Sequence, residues 1–199
     1  MVNQEDISNH INQRTISSLV QDKPGVLSRI AGLFRRRGFN IVSLAVGSSE
    51  ISGLSRMTFV VEGPGSALRT VADQLKKLID VVEAKDITDK NIVWRELALI
   101  KVNSNKKNRS EILELAEIFR VNVIDIGVSN LTMEITGGKE KIDSLVELLR
   151  KFGLREVIRT GRVATLRGTL IEGKSDGEFQ YQTKSGDDLS ETFFESGSV

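Results

Sequence analysis

The order in which apolar runs, helical faces and chain breakers follow one another constrains this sequence most, because it occurs twice. Arg14 to Val20 is a short run with modest alternation and reads as a strand. Val26, Leu27, Ile30, Ala31 and Phe34 then share one face of a 3.6-residue period. Arg35, Arg36 and Arg37 sit at its negative end, and Gly38 is a left-handed stop. Asn40 to Val46 is a second strand. Leu54 to Glu62 is a third, with Ser55, Met57, Phe59 and Val61 on one face and Arg56 and Thr58 on the other. After the breaker Gly63-Pro64-Gly65, Ser66 is expected to cap a helix burying Leu68, Val71, Leu75 and Leu78, with Ala72 and Ile79 beside them. Val81 to Ile87 closes a fourth strand. The order is β-α-β-β-α-β, the split unit of ferredoxin-like folds.

From Glu96 it repeats. A strand runs to Val102, and Ser110 is expected to cap a helix carrying Ile112, Leu113, Leu115, Ala116 and Phe119. Strands follow over Val121–Val128 and Leu131–Thr136, Gly137-Gly138 breaks the chain, and Ile142, Leu145, Val146, Leu148 and Leu149 form another helical face. Gly153 ends it, and Leu154–Arg159 begins a last strand. The expected class is therefore α+β, with two tandem ferredoxin-like (βαββαβ) domains over 14–88 and 94–168. A loose leader over 1–13 precedes them, and an acidic, polar tail over 169–199, expected to be disordered or to fold on a partner, follows. Domains this small gain by pairing with a neighbour. Trp94, the only tryptophan, stands at the boundary and is expected to pack between the halves.

Composition removes several chemistries. A formal net charge of +1 argues against nucleic acid or membrane as the main partner. The chain has no cysteine, which excludes disulfides, thiolate metal sites and a cysteine nucleophile, and its single histidine, His10, lies in the polar leader. No paired carboxylates, P-loop or metal-ligand spacing suggests catalysis. RNA recognition by such sheets needs aromatic residues on the third strand, which offers only Phe59, on the face assigned to the core. No apolar run approaches the ~20 residues of a membrane span, and the leader resembles neither a signal nor a transit peptide. A reducing cytoplasm is the expected compartment, or a plastid stroma for a plastid-encoded chain.

The polar groups best suited to a ligand lie in QDKPGVL, at the start of the first helix. Asp22 is expected to cap the helix and Pro24 to occupy its first turn, with Gly25 where free backbone N–H groups point outward. Such an end binds a small carboxylate or phosphate, or else merely starts a helix. Asn40 begins the next strand and lies about one helix length away, roughly 20 Å at 1.5 Å per residue. The two cannot share a small ligand within one chain. If the second strand is an edge strand and pairs with its copy about a two-fold axis, Asn40 of one chain approaches the loop of the other. Otherwise Asn40 only accommodates the turn after Gly38. The second half has NSNKKNRSEI in place of the loop, without Pro-Gly.

The stretches DKPGVLSRIAGLFRRRGFNIVSLAV, LSRMTFVV, LKKLIDV, REL-LIKV, EIFR-NVIDI and RTGRVATLRG are specific in combination and lie between Arg14 and Gly168. In them the chain resembles the small, regulatory subunits of acetolactate synthase (acetohydroxyacid synthase). The resemblance implies that 14–88 is an ACT domain for effector binding and dimerisation, with a related ferredoxin-like domain behind it. It carries the family's effector loop onto Asp22, Lys23, Pro24, Gly25, Val26 and Leu27, and its interface asparagine onto Asn40, followed by Ile41. The family often has asparagine where this chain has Asp22, whose carboxylate accepts from an ammonium but donates nothing. The implied function is activation of a catalytic large subunit, with feedback inhibition by valine, leucine or isoleucine in branched-chain amino-acid synthesis. No catalytic or metal-binding residue and no cofactor is implied for this chain; thiamine diphosphate (ThDP), Mg and FAD are expected in the catalytic partner. The nearest alternative is an ACT amino-acid sensor serving a different enzyme.

Overall fold

The computed structural model describes residues 13–63 and 65–168, and its first half runs β1 (Gln13–Gln21), α1 (Val26–Arg37), β2 (Asn40–Ser48), β3 (Leu54–Glu62), α2 (Gly65–Leu68), α3 (Val71–Leu75) and β4 (Val81–Asp86). The second half runs β5 (Ile92–Asn103), α4 (Arg109–Ile118), β6 (Asn122–Ile126), β7 (Asn130–Gly137), α5 (Lys139–Leu149), a 3-10 turn (Arg150–Phe152), β8 (Leu154–Arg159) and β9 (Val163–Leu166). The strands form two antiparallel sheets in the same order, β2-β3-β1-β4 and β6-β7-β5-β8, so the repeated element order becomes a repeated topology. β2 is an edge strand, as the symmetric-pairing argument requires. The leader with His10, Pro64, the side chain of Ser66 and the tail after 168 lie outside the described residues.

Each sheet buries one face under its own helices. In the first half, Phe34 of α1 meets Phe59 of β3 edge to face at 5.4 Å between ring centroids and Phe39 at 6.1 Å. Ile16, Ile30, Met57, Val61, Leu68, Val71 and Leu75 close around them. Ile100, Ile112, Leu131, Met133, Leu145 and Leu149 form the equivalent centre of the second half. Gly38, at φ 70°, ends α1: its N–H and that of Phe39 return to the carbonyls of Arg35 and Phe34, a Schellman closure.

Several sequence expectations change. The buried face of α1 is Val26, Ile30, Leu33 and Phe34, whereas Leu27 is 44% exposed. The single helix expected after Gly63-Pro64-Gly65 is two short ones, because Thr70 Oγ1 bonds back to the Ala67 carbonyl at 2.9 Å and competes with helix continuation. Ile79 is consequently exposed. Ser110 does not cap α4: the helix starts at Arg109 and Asn108 holds the cap position. β1 begins at Gln13 rather than Arg14, and the expected linker ends early, since β5 begins at Ile92. That early part of β5 pairs with β9, from Ile92↔Leu166 to Arg95↔Val163, a strand the sequence reading left unassigned.

The first sheet is also covered on its second face. Strand alternation places Thr15, Leu19, Thr58 and Val60 opposite the helical core, yet all four are buried. Val60 lines a cleft of about 380 Å³ whose far wall is Glu96, Lys139 and the turn Thr160–Arg162 of the second half. Across that wall Asp143 bonds Lys139 Nζ at 2.9 Å and Arg159 Nη2 at 2.6 Å. The Lys139 hydrogen bond, helped by Arg159 and opposed by burial, holds the Asp143 carboxyl below its ordinary value of 3.8.

Two outcomes follow for stability. Phe34→Ala should lose about 3–5 kcal/mol in urea titration, while Leu27→Ala on the same helix should lose less than about 1 kcal/mol. Asp143→Asn should cost about 0.5 kcal/mol near neutral pH, a figure discounted for its partial exposure. A depressed carboxyl stabilises only above its unfolded pKa, so the gap between wild type and variant should close as pH falls through the lowered folded value. Urea midpoints at about pH 7 and about pH 3 check this, and a gap that persists in acid would assign the effect to packing.

Candidate functional site

The loop between β1 and α1 is shaped by a turn. Pro24 and Gly25 occupy the two central positions of a turn closed weakly by Val26 N–H to the Lys23 carbonyl at 3.4 Å. Gly25 has φ 85° and ψ −8°, the type II geometry for which proline followed by glycine is the favoured pair. This corrects two expectations: Gly25 itself is the cap residue of α1, Asp22 does not cap, and Pro24 lies before the helix rather than in its first turn. The turn is anchored at its root, where Gln21 N–H donates to the Asp80 carbonyl and Asp22 N–H to the Gly53 carbonyl, both at 2.9 Å.

The donors at this end are left outward. No side chain caps the helix, and Arg29 N–H is the first to make an intrahelical bond, to the Gly25 carbonyl at 3.0 Å. The N–H groups of Leu27 and Ser28 are therefore first-turn donors without an intrahelical acceptor, at the positive end of the helix dipole. Asp22, Lys23, Pro24, Gly25 and Leu27 are exposed around them, whereas Val26 is buried in the core and offers only its backbone. Sequence reasoning missed the support behind the loop. Arg29 Nε lies 2.8 Å from Asp80 Oδ2, close enough for an ion pair although its angle makes no hydrogen bond, and Asp80 is almost fully buried. Asp80 is remote in sequence and stands between Leu78-Ile79 and Val81-Val82, within the LKKLIDV stretch, where no local signal ties it to the loop.

The corresponding loop of the second half is held together by its own side chains. There Asn105 Oδ1 accepts from Lys107 N–H at 2.8 Å and Asn108 N–H at 3.2 Å, and Asn108 Oδ1 accepts from Asn105 N–H at 2.7 Å. Arg109 ties the loop to Ser104 Oγ and to the Gly127 carbonyl. The asparagine bonds lie ahead of the helix, which like α1 has no side-chain cap.

Asn40 and Ile41 lie elsewhere. Register pairs Gln21 with Leu54 and Asn40 with Glu62, so the loop and Asn40 sit at opposite ends of β3, about 26 Å apart at 3.3 Å per residue. Asn40 is exposed, with a long contact of 3.4 Å from Nδ2 to Glu62 Oε1, and Ile41 is half-buried against the core. The structure thus gathers Asp22 to Leu27 at one end and leaves Asn40 and Ile41 at the other. Among the described residues no group of three or more His, Asp or Glu is placed to hold a metal ion, and no described helix is long and apolar enough to cross a membrane.

Residues 16–83 match the family model described as the small-subunit-like ACT domain of acetohydroxyacid synthase, and residues 95–168 match that of the small subunit of acetolactate synthase. The chain belongs to the acetolactate synthase small-subunit family. It is 47% identical over 156 residues to the probable acetolactate synthase small subunit of Archaeoglobus fulgidus, covering 78% of this chain and 98% of that one. It is 48% identical over 154 residues to the acetolactate synthase small subunit of Mycobacterium bovis, covering 77% and 92%. The crystal structure of the acetolactate synthase small subunit from Thermotoga maritima superposes with a TM-score of 0.74 at 40% identity, over 79% of this chain and 99% of that one. A small subunit with an ACT regulatory domain is a regulatory component, and its family pairs it with a catalytic large subunit.

If the left-handed Gly25 shapes the loop, Gly25→Ala should cost roughly 1–2 kcal/mol from backbone strain alone. Space is not the issue, since a Cβ there would meet only Arg29 Nη2, at 3.8 Å. Denaturant melts of this variant beside Gly32→Ala, which lies in the helix without positive φ, separate strain from the added methyl.

Proposed function

We propose that this chain is the regulatory subunit that activates a ThDP-dependent acetolactate synthase catalytic subunit and makes it inhibitable by valine, or by leucine or isoleucine, in branched-chain amino-acid synthesis. One observation carries the reading: the open donor loop and Asn40 lie at opposite ends of a sheet whose edge strand, β2, has no strand on its outer side among the described residues. Antiparallel pairing of β2 with its copy about a two-fold axis near Leu44 would set Asn40 opposite Ser48 of a second chain. Ser48 pairs with Ser55, and Gly53, just beyond Leu54, carries the carbonyl that anchors the Asp22 loop.

In such a homodimer the effector carboxylate rests on the open N–H groups of Leu27 and Ser28, one residue further on than the Gly25–Leu27 of the sequence reading, and its ammonium faces the Asp22 carboxylate or nearby carbonyls. Asn40 from the second chain completes the polar ring. The half-exposed Leu27 and the Ile41 edge give the small side chain an apolar bed. Regulation then equals the difference in effector affinity between two arrangements of the dimer and its attached catalytic subunit. The thiamine diphosphate, Mg and FAD chemistry belongs in this reading to the catalytic subunit, and the complex works in the cytoplasm.

A thermal melt with each branched-chain amino acid tests it. At about 100 times the dissociation constant the bound ligand should add about 2.7 kcal/mol of stability, and Asn40→Ala should abolish the shift. In parallel, the chain should raise the activity of a purified acetolactate synthase large subunit, and valine should lower it. No shift with any of the three, alone or with the large subunit present, would remove the sensing role and leave activation only.

A further inference from the structure

Between the effector edge and the second half stands one turn whose contacts are more specific than a linker requires. Thr160 fixes it to β5, donating its N–H to the Leu97 carbonyl at 3.1 Å and accepting the Leu97 N–H on Oγ1 at 3.2 Å. β9 then continues from the turn and pairs with the start of β5, so the turn is held on both sides by the second sheet. Its tip presses on the first. Arg162 N–H donates to Ser43 Oγ at 2.8 Å, and Arg162 Nη1 donates to Thr15 Oγ1 at 2.9 Å. The guanidinium stacks on Trp94 with Cζ 4.3 Å from the ring centroid. Burial pulls the Arg162 pKa down while the charges of Glu96 and Glu140 oppose it, so the side chain gives up solvent to stay in this position.

The tip leaves no spare room. Gly161 has φ 80°, and a Cβ built on it would lie 2.5 Å from Ser43 Oγ and 3.4 Å from the backbone N and O of Leu44. Ser43 is where β2 departs from regular pairing, since the register with β3 shifts between Ile41 and Ser43. A bulge leaves one residue unpaired, disrupts the ladder locally and re-aims the side chains beside it, so a contact on Ser43 bears on how this stretch of β2 is held. The cleft beside it is lined by Val42, Ser43, Leu44 and Val60 on one wall.

We propose that the Thr160–Arg162 turn is the transmission between the halves: it holds the Ile41–Ser43 bulge, and effector binding at Asn40 and Ile41 reaches the second half by shifting that grip. The transmission rests on the effector reading above; the grip itself does not. Arg162 is a positioning residue, touching no effector, and acts through Ser43 and Thr15.

Amide hydrogen exchange on the full chain separates the two ideas, using wild type, Arg162→Ala and Arg162→Lys. Without ligand, Arg162→Ala should speed exchange about fivefold to tenfold at residues 41–46 as well as 160–163, the size expected when a hydrogen bond and a cation–π contact are lost. Amides of β6 and β7 should not change, which excludes general loosening. Arg162→Lys keeps the charge but not the stacked plane, and should fall between. Unchanged exchange over 41–46 in Arg162→Ala overturns the grip.

With saturating valine, leucine or isoleucine, wild type should gain protection over both 40–44 and 160–163, and Arg162→Ala only over 40–44. Protection at 40–44 that never reaches 160–163 in wild type, or reaches it equally in Arg162→Ala, overturns the transmission and leaves the effector reading intact. No protection by any of the three over 22–28 or 40–44 removes the effector reading and the transmission with it, while the ligand-free comparison still decides the grip.

Discussion

The pairing of β1 with β3 is the constraint on which the rest depends. Nine consecutive pairs, from Gln13↔Glu62 to Gln21↔Leu54, fix which ends of the sheet carry which groups. That register sends the chain into the Pro24-Gly25 turn at one end and brings it back from α1 into Asn40 at the other. It also decides that Ile16, Met57, Phe59 and Val61 lie under Phe34, so the helix that exposes its N-terminal donors is held down by the same strands that separate them from Asn40. A one-residue slip of β1 against β3 would turn β1 over and bring Thr15 and Leu19 beneath the helix in place of Ile16 and Val20.

Much of this was legible because short-range physics decides it. The periodic apolar face of α1, the alternation of Leu54–Glu62 and the glycine stop at Gly38 each state their structure within a few residues. What failed had causes the sequence does not mark. Leu27 is expected in the core, but the buried stripe runs through Val26, Ile30, Leu33 and Phe34, and Leu27 lies about 100° round the helix from Val26. Thr70 broke a helix through a bond to Ala67 that no propensity announces. β9 went unseen because its partner is the first four residues of β5, a stretch read largely as linker, and such pairing is long-range.

The candidate site was half legible. The dipeptide Pro24-Gly25 and the exposed Asn40 stand out in the letters, and the family resemblance placed both. Asp80 and the Gly53 carbonyl, which fix the root of the loop, do not stand out, because their contribution is made by backbone atoms and an ion pair, buried at Asp80 and half-exposed at Arg29, between residues far apart in sequence. Comparison of the two halves makes the same point chemically. Asn105 and Asn108 tie the second loop together ahead of its helix, where the first half has the Pro24-Gly25 turn, so the repeat preserved the frame and changed the loop. Trp94 is expected to pack between the halves; its ring carries Arg162 of the second half, and it is Arg162 that reaches Thr15 of the first.

The separation of Asp22–Leu27 from Asn40 along β3 has one more consequence. In the proposed homodimer each chain would bring only part of each pocket, so assembly of a whole one would be second order in chain concentration. Dilution of the chain would then weaken responsiveness at unchanged effector affinity.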